Sequence, residues 1–140
     1  MLIFEIEGKP TAWAAHGGNG RHSFNPRFRE KEYVRWQLKT QYSGKELLCS
    51  ALWAAFIFYV PIPKNTSAIK KRQMLAGIIR PTTRPDRTNY LKFLEDCLIG
   101  IVIADDSTIV DGPVSKWYGE IPKAVIKICP LAEYTIGHVP

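Results

Sequence analysis

The sequence has few cysteines and no long apolar run, and both absences exclude classes of protein. It contains 3 cysteines in 140 residues, an odd number. Because Cys49, Cys97 and Cys129 lie far apart in apolar runs, neither a disulfide framework nor a zinc site is supported, and buried thiols are expected. No stretch approaches the ~20 apolar residues that a membrane span needs.

Targeting signals and membrane-surface features are also missing. The first five residues, MLIFE, lack the positive start and cleavage site of a signal peptide. There is no basic amphipathic helix or polybasic tail to lie on a membrane. A cytoplasmic protein with no membrane partner is therefore expected. Chains of roughly 100 to 200 residues usually form one domain, so residues 1–140 are expected to be a single domain with its own core.

Charge is distributed unevenly along the chain. The formal net charge is +6, yet residues 84–112 contain three basic and six acidic residues, which leaves +9 for the remainder. An acidic pocket in a basic body suits a protein that attracts a polyanion and meets its phosphates with a metal ion. A net charge of +6 is also ordinary for a soluble protein, so charge alone favours nucleic acid only modestly.

Local patterns predict the elements of the first half. Alternation of apolar and polar residues predicts a half-buried strand over Leu2–Glu7, and the composition of Thr11–Arg27 predicts a loop. A helix is predicted over Phe28–Tyr42. The apolar run Leu47–Val60 predicts a central strand covered on both faces, ended by Pro61 and Pro63.

Capping signals define the elements of the second half. Ser67 and Gly77 bound a short helix over Ala68–Ala76, and Asp86 caps a helix that runs to about Ile99 before Gly100. Two antiparallel strands joined through residues 119–122 are predicted over Thr108–Tyr118 and Lys123–Cys129. The segment Asp111–Pro113 is either a bulge in the first of these strands or a turn.

Five aspartates surround one lysine between residues 84 and 111. Each has a common structural role as a cap, a surface residue or a turn residue, and their conjunction with Lys92 favours function. At about 100° per residue, Asn89, Lys92 and Asp96 lie within roughly 60° of one another on the helix. Acids at this helix start and at the next strand start would suit Mg²⁺, which takes carboxylate oxygens and keeps waters.

These residues resemble a known family, the RusA-like Holliday junction resolvases. Its signature is a proline- or basic-led Asp-x-Asp-Asn-x-x-Lys helix, followed after some fifteen residues by Asp-Asp-x-Gln-Val/Ile. The chain has Pro85-Asp86-Arg87-Thr88-Asn89-Tyr90-Leu91-Lys92 and then Asp105-Asp106-Ser107-Thr108-Ile109-Val110. The opening strand, the Gly- and Arg-rich loop and the Asn25-Pro26 helix entry are similar to the phage and Gram-positive branch.

The resemblance implies a fold and an activity. The expected fold is α/β (α+β), with a mixed, largely antiparallel sheet packed against helices. The expected activity is that of a homodimeric, Mg²⁺-dependent endonuclease that nicks Holliday junctions or other branched DNA, with Mn²⁺ as an alternative metal. Asp86 and Asp106 match the family's metal-binding carboxylates, Lys92 matches its essential lysine, and Asp105 is expected to help hold the metal.

Two departures bear on activity. Thr88 stands where the family usually has its second helix aspartate. Thr108 stands where the family often has glutamine. Because a hydroxyl is a weaker ligand than a carboxylate, support from Asp105, Asp96 or Asn89 is expected. Recognition of branched DNA should depend on backbone phosphates. The basic candidates for these contacts are Arg21, Arg27, Lys70, Lys71, Arg72, Arg80, Arg84 and Arg87.

Two other functions are consistent with the same residues. In a non-catalytic or weakly active branched-DNA-binding protein, the acids would be caps and turns and the basic surface would do the binding. A small metal-dependent hydrolase of another phosphate ester is the weaker alternative.

Overall fold

A five-stranded mixed sheet forms the centre of the structure, a computed structural model that describes residues 1–138 and the side chains of residues 1–134. The strands of this sheet are β1 Leu2–Glu7, β4 Leu52–Pro61, β5 Ile109–Asp111, β6 Val114–Gly119 and β7 Lys123–Pro130. A separate two-stranded hairpin consists of β2 Gly17–Gly18 and β3 Ser23–Phe24. The helices are α1 Phe28–Gln41, α2 Ala68–Leu75, α3 Arg87–Leu98 and α4 Leu131–His138, and a 3-10 turn spans Asp106–Thr108.

The predicted α+β fold is confirmed, and capping explains where two of its helices begin. Ser67 accepts a hydrogen bond from the Lys70 N–H at the start of α2, and Asp86 does the same for Asn89 at the start of α3. Two expectations need correction. The predicted loop Thr11–Arg27 contains the β2–β3 hairpin, and the central strand begins at Leu52 instead of Leu47.

Strand β4 lies between antiparallel β7 on one side and parallel β5 and β6 on the other. The two strands joined through residues 119–122 run antiparallel as predicted, but they do not pair with each other, because β4 lies between β6 and β7. Both β5 and β6 run parallel to β4. The register shifts within β5, where Leu52 pairs with Ile109 and Trp53 pairs with Asp111, and β6 keeps the register of Asp111. The Asp111–Pro113 segment is thus an irregularity in one strand path and not a reversing turn.

The main core lies between one face of the sheet and the helices α1 and α3. Leu38 of α1, Phe56 of β4 and Leu98 of α3 are almost fully buried in it. On the other face of β4, Trp53 and Ala55 form a smaller cluster, and Trp53 stacks on Tyr134 of α4 at 4.2 Å between ring centroids. The central strand is therefore covered on both faces at this end, as its apolar sequence predicted.

Glutamines of α1 cover the free edge of β1. Gln37 Oε1 accepts from the Glu7 N–H at 2.8 Å, and Gln41 Nε2 donates to the Glu5 carbonyl at 2.9 Å. An edge strand presents unpaired N–H and C=O groups that can recruit another chain. These side chains satisfy part of that edge within the molecule.

The three cysteines differ in their exposure to solvent. Cys97 and Cys129 are buried free thiols as expected, whereas Cys49 is exposed, which corrects the expectation of three buried thiols. Cys49 lies in the irregular segment before β4, where the apolar run is not yet part of the sheet. Among the described residues, no helix is both long and apolar enough to cross a membrane.

Candidate active site

The start of α3 is fixed by its own N-cap and by hydrogen bonds from a lysine of β6. Asp86 Oδ1 accepts from the Asn89 N–H at 2.9 Å, so this carboxylate is the helix cap. Lys116 Nζ of β6 donates to the carbonyls of Thr83 and Pro85 at 2.9 and 2.8 Å. Asp86 is exposed, and no described residue donates a hydrogen bond to its second oxygen, Oδ2. The helix cap therefore uses Oδ1 of Asp86, and Oδ2 remains available to a ligand.

The two adjacent aspartates at the next turn have different environments. The Ser107 N–H and hydroxyl donate to Asp105 Oδ2, and these hydrogen bonds hold the pKa of Asp105 below its ordinary value. Thr108 Oγ1 also donates to the Asp105 carbonyl at 2.6 Å. Asp106 begins the 3-10 turn and is exposed, without an ion pair to any described residue. Asp105 thus shapes the turn through Ser107, and Asp106 follows it as an exposed carboxylate.

Glu95 joins these acids, although sequence reasoning did not select it. Burial, together with the negative charges of Asp106 and Asp96, raises the pKa of the Glu95 carboxyl to about 7. The structure therefore brings α3 and the 3-10 turn together at Glu95 and Asp106. The sequence contained a signal for this residue, since Glu95 follows Thr88 by two helical turns and lies within about 20° of it around the helix.

The acids are distributed along α3 and do not collect at one point. From Asp86 to Glu95 the helix rises about 14 Å at ~1.5 Å per residue. Among the described side chains, those of residues 1–134, no group of three or more His, Cys, Asp or Glu is placed to hold a metal ion. The structure therefore contains no preassembled three-carboxylate cluster. The donors are nevertheless hard oxygen ligands, and Mg²⁺ commonly takes one or two carboxylates and keeps several waters.

The predicted common face of Asn89, Lys92 and Asp96 is present and meets the segment around Trp13. The Trp13 N–H donates to the Asn89 carbonyl at 2.9 Å, and Lys92 Nζ lies 3.6 Å from the centroid of the Trp13 ring. Asp96 lines a small cleft together with the same tryptophan. Trp13 is therefore a second site residue that sequence reasoning missed, and no local pattern in its loop marks it.

The cleft beside Trp13 is lined by His16, Arg27, Lys31 and Asp96 and has a volume of about 70 Å³. A cleft of this size has room for a few water-sized groups such as waters or phosphate oxygens. Arg27 Nε is buried there and has no hydrogen-bond partner among the described residues. An unpartnered buried donor is costly, and a guanidinium suits a phosphate.

The other basic candidates fall into two groups. Arg80 Nε donates to the Lys116 carbonyl at 2.7 Å while its guanidinium stacks 3.3 Å from the Trp117 ring centroid. Arg87 Nη1 donates to the Val114 carbonyl at 3.2 Å. These two side chains are engaged in holding the fold together. The remaining candidates are exposed, and Lys71 lies 3.9 Å from Glu120; they are Arg21, Lys70, Lys71, Arg72 and Arg84.

Comparison with known proteins places this chain in a family. The family model described as Endodeoxyribonuclease RusA matches residues 9–129. The chain therefore belongs to the RusA endodeoxyribonuclease family, as the sequence resemblance indicated. It is also similar to the uncharacterized protein YqaN of Bacillus subtilis (strain 168), with 34% identity over 135 residues that cover 91% of this chain and 94% of that protein.

Proposed function

We propose that this protein is a Mg²⁺-dependent endonuclease that nicks four-way junctions or other branched DNA. The observation that carries the proposal is the meeting of Glu95 and Asp106, whose mutual repulsion is not offset by an ion pair with any described residue. Like charges held together favour a cation between or beside them. Membership of the RusA family supports the nuclease activity. The repulsion among the acids supports a bound metal ion.

The proposed metal ligands are Asp106 with Glu95 at one position and Asp86, through Oδ2, at a second position about 14 Å along α3 from Glu95, so that one ion does not join all three carboxylates. Glu95 lies on the same side of α3 as Thr88, about 10 Å further along the helix, so it adds a negative charge to that side without occupying the position of Thr88. Asp105, which the sequence suggested as a further ligand, has the clearer task of shaping the turn through Ser107. A bound Mg²⁺ or Mn²⁺ supplies an activated water and offsets negative charge on the phosphate during hydrolysis.

Basic side chains complete the proposed reaction. The Lys92 ammonium acts as a point charge on the scissile phosphate or on the leaving oxygen, where a preplaced charge is worth most. Arg27 binds a neighbouring backbone phosphate through its unpartnered Nε atom. The exposed bases Arg21, Lys70, Lys71, Arg72 and Arg84 hold the arms of the junction through their phosphates.

The decisive experiment compares a synthetic four-way junction with a linear duplex of the same arm sequence, each in Mg²⁺ and in EDTA. Symmetric nicks in the junction alone, and only with the metal, are expected. Asp106→Asn should remove cleavage and retain junction binding. Asp86→Asn should do the same without loss of the helix cap, because asparagine caps helices as well as aspartate does.

The matched control is Asp111→Asn. Asp111 is exposed, and its Oδ1 accepts only from the adjacent Gly112 N–H at 2.8 Å, which an asparagine oxygen also does. This variant should cleave at the wild-type rate. Equal cleavage by Asp106→Asn, or cleavage in EDTA, would contradict the proposed metal site. Junction binding without cleavage by the wild type would favour the non-catalytic alternative.

We also propose a homodimer, because a four-way junction has two-fold symmetry and paired nicks need two active sites. Pairing of two β1 edges is disfavoured, since Gln37 and Gln41 already bond to that edge. Light scattering at micromolar concentration should give twice the monomer mass. A monomer that cleaves with first-order dependence on its concentration would contradict the dimer.

A further inference from the structure

Trp13 is attached to α3 at two points, although it lies in a segment without helix or strand. Its backbone N–H donates to the Asn89 carbonyl at 2.9 Å. Its ring packs against the main core and presents a face to the Lys92 ammonium, 3.6 Å from the ring centroid. Since Asn89 precedes Lys92 by one helical turn, both contacts involve the same stretch of helix. The location of the ring relative to the lysine is therefore determined by the fold.

Lys92 has no other fixed partner in the described part of the chain. No carboxylate lies within ion-pair distance of its Nζ atom, and it makes no hydrogen bond there. A lysine ammonium is a compact charge on a flexible four-carbon stem, so an exposed lysine without a partner samples many positions. The face of an aromatic ring attracts such a charge, most strongly for tryptophan. The Trp13 ring therefore limits where the ammonium can be.

We propose that Trp13 is a positioning residue for Lys92: its ring holds the ammonium beside α3 before DNA binds, so that the phosphate meets a charge already in place. The catalytic consequence rests on the proposed nuclease function, whereas the contact itself does not. Two other roles for the ring are a loop anchor that only supports the fold and a stacking surface for a DNA base. The following measurements separate these roles.

The first measurement concerns the DNA-free protein and needs no activity. A lysine held over a ring should show upfield-shifted Cε–Hε resonances in NMR spectra, and their loss in Lys92→Arg assigns them. Trp13→Leu, which keeps an apolar side chain but has no ring, should return these resonances to the range of the other lysines. Trp13→Phe should keep part of the shift. Lys92 resonances already in the ordinary range in the wild type would overturn the proposal.

The second measurement is single-turnover cleavage of a four-way junction at saturating protein. Trp13→Leu should slow cleavage about two- to fivefold, the value of a cation–π contact at an exposed site, with little change in junction affinity. Trp13→Phe should fall between Trp13→Leu and the wild type. Trp36→Leu is the matched control, because Trp36 is a 62% exposed tryptophan on α1 and should cleave at the wild-type rate.

The remaining outcomes distinguish failure of the positioning role of Trp13 from failure of the proposed nuclease function. Weaker junction binding by Trp13→Leu with unchanged saturated cleavage would identify a DNA-stacking ring and overturn positioning. Equal cleavage rates for Trp13→Phe and Trp13→Leu, with both variants folded by thermal unfolding, would identify a loop anchor and overturn it as well. A wild-type protein that does not cleave, but whose Lys92 shift depends on Trp13, would refute the nuclease function and support the contact.

Discussion

Replacement of Glu95 by glutamine should make the protein more stable at pH 8 and leave its stability unchanged near pH 4. The pKa of the Glu95 carboxyl is raised from 4.5 to about 7 by burial and by the charges of Asp106 and Asp96. The folded state thus holds the proton more tightly than the unfolded state does. The free energy of unfolding of the wild type should fall as the pH rises from about 4.5 to about 7, and the loss is complete above the folded-state pKa. Glutamine has no proton to lose.

The size of the effect follows from the shift and from solvent exposure. At ~1.36 kcal/mol per pKa unit, a shift of this size corresponds to an upper bound of about 3.4 kcal/mol. Glu95 is only partly buried, so water screens its charge and reduces this figure substantially. We expect Glu95→Gln to raise the free energy of unfolding by about 1–2 kcal/mol at pH 8, because its amide is neutral beside Asp106.

Urea unfolding at pH 4 and pH 8, without divalent metal, measures the difference directly. The control is Glu46→Gln, because the Glu46 side chain is exposed and its residue contributes only a backbone carbonyl to the fold. This control should change stability equally at both pH values. If Glu95→Gln also changes stability equally at both, the inferred repulsion among Glu95, Asp106 and Asp96 is absent. Addition of Mg²⁺ at pH 8 should stabilise the wild type more than Glu95→Gln, since a ligand of the folded state adds stability by mass action.

Three further predictions test the packing of the core, the threonine that replaces the family's aspartate in α3, and the cleft beside Trp13. Leu98→Ala should lower the free energy of unfolding by about 2–5 kcal/mol, because this side chain is 0% exposed in the core and its loss leaves a cavity. Urea unfolding measures this change, and a decrease below ~1 kcal/mol would contradict the observed packing. Thr88→Asp should leave junction cleavage unchanged or slow it at fixed Mg²⁺, since Glu95 already supplies a charge on that side; a tenfold gain, ~1.4 kcal/mol of barrier, would show that the site lacks a ligand. Arg27→Lys should weaken junction affinity, measured by fluorescence anisotropy, without slowing saturated cleavage, because it removes the buried Nε donor but keeps the charge; unchanged affinity would exclude the cleft as a phosphate contact.

The sequence predicted those features of the fold that depend on neighbouring residues. The starts of α2 and α3 followed from Ser67 and Asp86, whose side chains satisfy N–H groups three residues ahead. The ends of these helices followed from Gly77 and Gly100, which have positive φ angles of 79° and 82°. Such signals act over one helical turn, and they therefore appear in the sequence itself.

Features that depend on distant segments were not predictable in the same way. The Gly119–Pro122 turn has the local chemistry of a hairpin, but β4 lies between the two strands because it buries apolar side chains on both faces. The meeting of Glu95 with Asp106 depends on how the segment after α3 returns to that helix. Trp13 reaches Lys92 across a separation of 79 positions, and nothing in its neighbouring residues indicates this.

The positive charge of the chain also requires a structural interpretation. Arg35 of α1 donates to the carbonyls of Cys97 and Ile99 at 3.1 and 2.8 Å. These carbonyls lie at the C-terminal end of α3, where carbonyls have no partner within the helix, so Arg35 satisfies them. Lys116 and Arg87 hold the opposite end of the same helix, and Arg80 stacks on Trp117. Arg35 and Lys116 hold the two ends of the helix that carries Lys92 and Glu95. With Arg80 they belong to the excess of +9 outside residues 84–112, so this excess overstates the charge available to DNA. The geometry of the reacting groups therefore depends on cations that need not touch the substrate. Loss of one of them should impair cleavage through the position of α3, even where affinity for DNA is retained.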